Sequence, residues 1–288
     1  MLLVHRAKPL MPHSFPDPVA VDHYENFPVA SFLLPHRLRR PVALIYRFAR
    51  ESDDFADEGD SPDAQRLAQL AGFSRELERI ERGEPPGIPW FADLAAIIRE
   101  HDLPLSAFHD LLSAFAQDVT KKRYADYAEV LDYCHRSADP IGRLLLVLYG
   151  AATAQNLQYS NAICSSLQLI NFWQDVAIDW QKNRIYFPQD EMQHYGITEQ
   201  QIANGSTDGP WQPFMDFQIN RTRALLHSGK PLGRILKGRI GLEMRMIIAG
   251  GDRILTKIAA VNGDVFRRRP VLRKPDWVLM LAKSLVGT

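Results

Sequence analysis

The sequence predicts an all-α protein, and three observations carry that expectation. Every long segment spaces its apolar residues three and four apart, as one face of a helix requires. No run alternates apolar and polar residues as a half-buried strand would. No internal repeat or low-complexity linker divides the chain. Residues 21–288 therefore read as a single helical domain behind an irregular leader at 1–20, rich in Pro and His.

Composition narrows the function classes. The 288 residues carry 34 basic and 34 acidic side chains, which is not the basic excess of a nucleic-acid binder. At 46% hydrophobic, the chain can bury a sizeable core. Cys134 and Cys164 make neither a disulfide framework nor a zinc spacing and read as inert core thiols. The first residues lack a continuous apolar segment of signal-peptide type. No stretch reaches 18 apolar residues, so nothing is expected to span a membrane, and a cytoplasmic location is expected.

Taken in order, residues 21–34 (VDHYENFPVASFLL) read as a helix bent near Pro28. Pro35 and Pro41 bracket the entry to a helix over residues 46–57. There Tyr46, Arg50, Asp53 and Asp57 repeat at steps of four, three and four, forming one stripe beside Leu44, Phe48 and Phe55. Residues 59–63 (GDSPD) are a turn and a fresh N-cap. The amphipathic segment 64–82 follows, with Leu67, Leu70, Phe73, Leu77 and Ile80 at helical spacing. A loop at 83–89 leads to a short helix at 90–100. Pro104 suits the first turn of the next helix, which carries Phe108, Leu111, Leu112 and Phe115 through to Lys121. Asp118, Lys121, Lys122 and Arg123 end it; the basic cluster either guards an anion or complements the helix C-terminus.

Residues 127–153 contain Tyr133-Cys134-His135-Arg136-Ser137-Ala138-Asp139-Pro140-Ile141-Gly142-Arg143 between helical flanks. Pro140 predicts a kink that frees backbone carbonyls, with Ser137, Ala138 and Gly142 small enough to admit a ligand. A plain helix–turn–helix break fits the pattern equally. Residues 161–180 (NAICSSLQLINFWQDVAIDW) read as one buried central helix about 30 Å long. Leu169, Trp173, Val176 and Trp180 form one apolar stripe, and Ile163, Leu167 and Ile170 a second. Gln168, Asn171, Asp175 and Asp179 form a polar stripe between them. It lines an internal polar cavity or is one wetted edge; the apolar remainder of the helix favours the cavity. Residues 182–188 (KNRIYFP) place Arg184 and Tyr186 where they close over an anion as the loop folds back. An irregular stretch at 203–213 precedes helices at 214–228 and 239–261. The tail holds Arg267-Arg268-Arg269 and then an apolar segment at 275–285 with Trp277.

Chemistry is concentrated in two aspartate pairs four residues apart, Asp53/Asp57 and Asp175/Asp179. Like charges at that spacing weaken an isolated helix, and Asp is a mediocre helix former. Two such pairs on otherwise apolar helices point to bound cations. Short carboxylates offering only oxygen suit Mg²⁺, which commonly shares its shell with substrate phosphate. The expectation is a Mg²⁺–diphosphate site between two facing helices.

These residues resemble the squalene/phytoene synthase family over nearly the whole chain. Its first acidic motif is similar to Asp53-Asp54-Phe55-Ala56-Asp57, preceded by Tyr46 and Arg50. Its second is similar to Asn171-Phe172-Trp173-Gln174-Asp175-Val176-Ala177-Ile178-Asp179, followed by Asn183-Arg184-Ile185-Tyr186-Phe187. The resemblance implies the class I isoprenoid (terpenoid) synthase fold, a single helical bundle around a central cavity, with Mg²⁺ and a prenyl diphosphate. Two departures stand out. The family usually carries a Val-Ala-Gly type segment after Tyr-Cys, where this chain reads Tyr133-Cys134-His135-Arg136-Ser137-Ala138-Asp139-Pro140-Ile141-Gly142, and it commonly has Arg where Gln174 stands. With HYENFPVAS near the start, these features resemble the bacterial branch that makes hydroxysqualene for hopanoids. That branch converts presqualene diphosphate and water to hydroxysqualene and diphosphate without NADPH, beside a presqualene diphosphate synthase. The alternative is a head-to-head synthase making squalene, presqualene diphosphate or phytoene.

On that resemblance, Asp53, Asp57, Asn171, Asp175 and Asp179 are expected to hold the ions. Arg50, Arg184 and Tyr186 are expected on the leaving diphosphate, and His23, Phe27, Tyr46, Gln168 and Asn171 on the substrate. Asp139 either positions the attacking water or caps the second half of the kinked helix. The segment 267–274 with Trp277 either meets anionic lipid, as a peripheral contact on the inner membrane face, or packs on the bundle.

Overall fold

The computed structural model describes residues 34–286. The expected leader, most of the helix expected at 21–34, and with them His23 and Phe27, lie outside the described residues. Those described are helical as expected, with one isolated bridge between Tyr124 and Pro188 and no strand. The elements are α1 (His36–Asp57), α2 (Asp63–Glu81), α3 (Phe91–Glu100), α4 (Leu105–Thr120), α5 (Tyr127–Ser137), α6 (Asp139–Leu148) and α7 (Ala154–Gln174). They continue as α8 (Val176–Gln181), α9 (Gln189–Tyr195), α10 (Glu199–Ala203), α11 (Trp211–Ser228), α12 (Leu232–Ile235), α13 (Gly238–Ala260) and α14 (Lys274–Val286). No described helix is long and apolar enough to cross a membrane.

Two apolar cores organise these helices. The first joins α1, α2, α3, α4 and α6. Its aromatic centre holds Phe48 edge-on to Phe108 at 5.1 Å and Phe73 edge-on to Phe91 at 4.8 Å. The second is built on α5, α7, α11 and α13, where Trp173 stacks on Phe187 at 4.7 Å. Trp173 is fully buried, and its indole N–H donates to Thr222 Oγ1 at 2.8 Å. Truncating such a residue costs about 3–5 kcal/mol. The seam between the two cores is where α1 and α4 face α5 and α7.

Several boundaries differ from the sequence expectation, each for a packing reason. α1 begins at His36 and carries Pro41 inside it, because Leu38, Pro41 and Val42 are all buried in the first core. Tertiary burial there outweighs the lost hydrogen bond. The expected single helix over 161–180 is two helices. α7 ends at Gln174, Asp175 adopts φ −105° and ψ 16°, and α8 restarts at Val176. Contacts with the segment after α13 hold the break open: Gln174 Nε2 donates to the Pro270 carbonyl at 2.7 Å, and Arg269 reaches Asp175. The break near Pro140 is a junction between α5 and α6, with Ala138 between them. Gly142 does not admit a ligand; a Cβ there would sit 2.3 Å from Ser160 Oγ, so the glycine lets α6 approach α7 closely.

The basic cluster after α4 is structural. Lys121 pairs with Glu129 at 2.9 Å, Arg123 with Glu199 at 2.6 Å, and Lys122 Nζ donates to the Asp118 carbonyl at 2.6 Å. At the other end, Asp276 pairs with Arg253 at 2.7 Å and with Lys257, fixing α14 on α13. Arg245 donates to the Ser284 carbonyl at 2.8 Å and the Gly233 carbonyl at 2.6 Å, bringing α12 and α14 together.

Candidate active site

At the seam lies a polar cavity of about 60 Å³. That is room for ions and a few waters, not for a long hydrocarbon. Asp53 and Asp57 reach it from α1, Phe115 and Asp118 from α4, and Tyr133 and Ser137 from α5. Gln168, Asn171 and Phe172 come from α7, Asp179 from α8, and Arg184 and Tyr186 from the following loop. The polar stripe of the central helix thus lines a cavity, as its surroundings implied, with one exception. Asp175 sits at the helix break and faces Arg269 instead, whose Nε lies 2.5 Å from Oδ1 and Nη2 3.2 Å from Oδ2.

Electrostatics are tense on the acidic side. Asp53 keeps some exposed surface as a residue, but its Oδ2 is buried without a hydrogen-bond partner. Burial, with Asp57 and Asp118 nearby, holds its carboxyl well above the usual range. Burial and then Asp175 push Asp179 up likewise. Asp57 is neutralised from the opposite wall by Arg184 Nη2 at 2.8 Å and Lys182 Nζ at 3.1 Å. Burial works against the Arg184 charge, yet Tyr186, Asp118 and Asp57 together outweigh it. Its Nη2 also donates to the Asp118 carbonyl at 3.1 Å.

Asp118 collects the cavity's phenols. Tyr133 donates to Oδ2, and Tyr186 donates to Oδ1 at 3.2 Å. Burial raises both phenols far above their ordinary range, so they remain hydrogen-bond donors. Tyr186 stacks on Phe172 with 3.6 Å between ring centres, and Tyr133 lies 5.7 Å from it. These rings form an aromatic wall beside the acids.

Some predicted residues are not brought to the cavity. Arg50 is paired with Asp54 at 2.9 Å and Glu58 at 3.1 Å and does not line it. Tyr46 is half-buried on α1, away from the lining. Asp139 is fully buried at the start of α6, with Oδ1 taken by Ser165 Oγ at 2.8 Å and Oδ2 facing His135 Nδ1 at 2.6 Å. It neither touches the cavity nor caps α6: both its oxygens are engaged by other side chains, and α6 has no side-chain cap. Arg184 and Tyr186 do fold back over the cavity, where they meet Asp57 and Asp118.

Asp118, Tyr133, Phe115 and Phe172 join the lining without having been singled out for it, while Ser137, expected to admit a ligand, does line it. A signal for Asp118 was present. It falls three residues after Phe115 on the stripe of Phe108, Leu111 and Phe115, so a charge was placed on an apolar face.

The donors fit a hard cation. Asp53 Oδ2 and Asn171 Oδ1 are buried oxygens without hydrogen-bond partners, lining the same cavity from α1 and α7. Oxygen-only donors of this kind suit Mg²⁺ and offer nothing soft. As folded here, no three His, Cys, Asp or Glu side chains among the described residues converge on one point, because Asp57 and Asp175 are held by cationic side chains.

Comparison with known proteins shows the family and the fold. A family model described as squalene/phytoene synthase matches residues 20–276. A hydroxysqualene synthase from Rhodopseudomonas palustris is 36% identical over 257 residues, covering 88% of this chain and 86% of that protein. A 15-cis-phytoene synthase from Synechococcus elongatus is 26% identical, over 90% of this chain and 87% of that one. The crystal structure of squalene synthase HpnC from Alicyclobacillus acidocaldarius superposes with a TM-score of 0.76 at 31% identity, covering 83% of this chain and 90% of that one. The all-α class I terpenoid synthase fold is thereby shown.

Proposed function

The chain belongs to the squalene/phytoene synthase family, and on that premise we propose that it converts presqualene diphosphate and water to hydroxysqualene and diphosphate, with Mg²⁺ as cofactor. The observation that carries the diphosphate chemistry is the seam cavity, where both acidic motifs meet buried oxygens that lack partners. The choice of reaction is supported by relatives named hydroxysqualene synthase at 30–36% identity.

Asp53, Asp57, Asn171, Asp175 and Asp179 would hold the ions. Bound there, Mg²⁺ supplies the positive charge that stabilises a departing diphosphate. The chain's own contribution is threefold. Arg184, locked between Asp57 and the Asp118 carbonyl, keeps a permanent positive charge at the cavity wall. Tyr186 and Tyr133, fixed by Asp118, keep phenol protons directed along that wall. Phe172, Tyr133 and Tyr186 present ring faces to a carbocation, each worth about 0.5–2 kcal/mol when well placed. Arg50 would act only from a distance, through its place on α1.

Incubating the purified protein with presqualene diphosphate, with and without Mg²⁺ and without NADPH, tests the reading. Hydroxysqualene formed only with Mg²⁺ is expected. Squalene that appears only on adding NADPH, or turnover of farnesyl diphosphate alone, would replace it with a head-to-head synthase, the reaction class to which the phytoene synthase relatives belong.

Substrate and product of this kind dissolve in bilayers, and the same reading extends to a peripheral membrane contact. Val278, Leu279 and Leu281 on α14, with Ile235 on α12, are four of the five exposed large apolar residues among those described. Arg234, Lys237, Arg273 and Lys274 are exposed beside them in sequence. Of the arginines expected to meet lipid, Arg269 is instead engaged by Asp175.

A further inference from the structure

Ser137 has a hydroxyl with nothing to do. The residue is 3% exposed, its Oγ is buried without a hydrogen-bond partner, and it lines the seam cavity. A buried hydroxyl left unpaired costs free energy, so an arrangement that keeps one is a candidate for binding something polar. Gln168 is in the same condition. It is 8% exposed, lines the same cavity, and leaves Oε1 without a partner.

The tether that places these two groups is on the same elements. Asp139, two residues after Ser137, accepts from Ser165 Oγ at 2.8 Å and so pins the end of α5 and the start of α6 to α7. Ser165 and Gln168 are three residues apart on α7, one turn and about 4.5 Å along its axis. The bond therefore sets the end of α5 against the turn of α7 that carries Gln168. His135, one turn before Asp139, holds the other carboxylate oxygen at 2.6 Å and fixes its orientation. Asn171 and Asp179 follow farther along the chain, toward the acidic motif.

We infer that Ser137 and Gln168 form a subsite for the water that becomes the product hydroxyl, with Asp139 as the positioning residue behind it. This rests on the proposed reaction and names the group that sequence reasoning sought in Asp139. The C–O bond to diphosphate breaks and its electron pair leaves with the diphosphate. The water donates one hydrogen bond to Gln168 Oε1 and one to Ser137 Oγ, which turns a lone pair toward the rearranged cation. The new C–O bond forms from that lone pair, and the released proton passes to the departed diphosphate. Amide and hydroxyl are too weakly basic to keep it.

The test compares wild type, Ser137→Val and Ser137→Thr on presqualene diphosphate with Mg²⁺ in ¹⁸O-labelled water, reading substrate consumed and the ratio of labelled alcohol to hydrocarbon. Valine and threonine match in shape, so the two variants differ in the hydroxyl. Ser137→Val is expected to consume substrate but to lower the alcohol-to-hydrocarbon ratio about tenfold, the effect of one lost hydrogen bond. Ser137→Thr, which keeps the hydroxyl, is expected to restore most of the ratio. Should Ser137→Val fail to fold by circular dichroism, Ser137→Ala takes its place with the same expectation. An unchanged ratio, or equal loss in the valine and threonine variants, would overturn the subsite while leaving the reaction standing. A wild type that makes no labelled alcohol would instead remove the proposed reaction, and the subsite with it.

Discussion

Arg269 and Asp175 form a bidentate pair across 94 positions of sequence, with Nε 2.5 Å from Oδ1 and Nη2 3.2 Å from Oδ2. The Asp175 side chain is 6% exposed, so the pair sits where a lone carboxylate would be costly. It ties the loop before α14 to the helix break that carries the second acidic motif. Arg269 thus occupies with positive charge a carboxylate assigned above to a divalent ion.

Arg269→Gln should therefore lower stability by about 2 kcal/mol in chelator, since it strands a buried carboxylate. Added Mg²⁺ should recover more of that loss in the variant than it adds to wild type. Melting curves with and without Mg²⁺ check this; equal Mg²⁺ shifts in both proteins would separate Arg269 from the metal site.

Asp53 and Asp179 should make the metal-free protein less stable as pH rises. Their folded carboxyls lie above the ordinary value of about 4. Raised groups favour the folded state most at pH below that ordinary value, and the advantage is lost as pH climbs through the folded values. Chelated protein should thus lose melting temperature with rising pH above about 4, and Mg²⁺ should flatten the slope by favouring the charged forms. Asp53→Asn should reduce the slope and abolish turnover while the fold persists. A variant with near-normal activity would remove Asp53 from the site.

Asp276 titrates in the opposite sense. Burial raises its pKa, but Lys257, the Arg273 N–H and Arg253 outweigh that and bring it to about 2. Its stabilising contribution is present above the ordinary value of about 4 and is lost as pH falls through about 2. Amide exchange in α14 should accelerate across that window ahead of α7, and Asp276→Asn should show the fast exchange already at neutral pH. Identical protection of α14 in the variant would assign its docking to apolar contacts alone.

Flotation with anionic vesicles tests the α12–α14 surface. Wild type should float, with exposed basic residues contributing about 1 kcal/mol each near the lipid. Ile235→Glu combined with Leu281→Glu should sink at unchanged melting temperature. Equal flotation of the double variant would place any lipid contact elsewhere.

Much of this protein was legible in its sequence because it depends on local periodicity. The three-and-four spacing of Leu67, Leu70, Phe73, Leu77 and Ile80 makes α2 whatever surrounds it, and the polar stripe of Gln168, Asn171 and Asp179 among apolar neighbours announced a cavity. The two acidic motifs with residues 182–188 were enough to place the chain in its family. Which partner each charged group finds was not legible, since neighbours on the same stretch of chain compete with groups tens of residues away. Arg50 turned to Asp54 and Glu58, Arg269 to Asp175, and Asp139 to His135 and Ser165. The helix break at Asp175 belongs to the same class. Local pattern continues through it, and only the contacts of Gln174 and Asp175 with the distant segment at 269–270 decide that the chain turns there. Ser137 shows the limit most plainly: its type and position were visible, but a hydroxyl without a partner exists only once packing has fixed every neighbour.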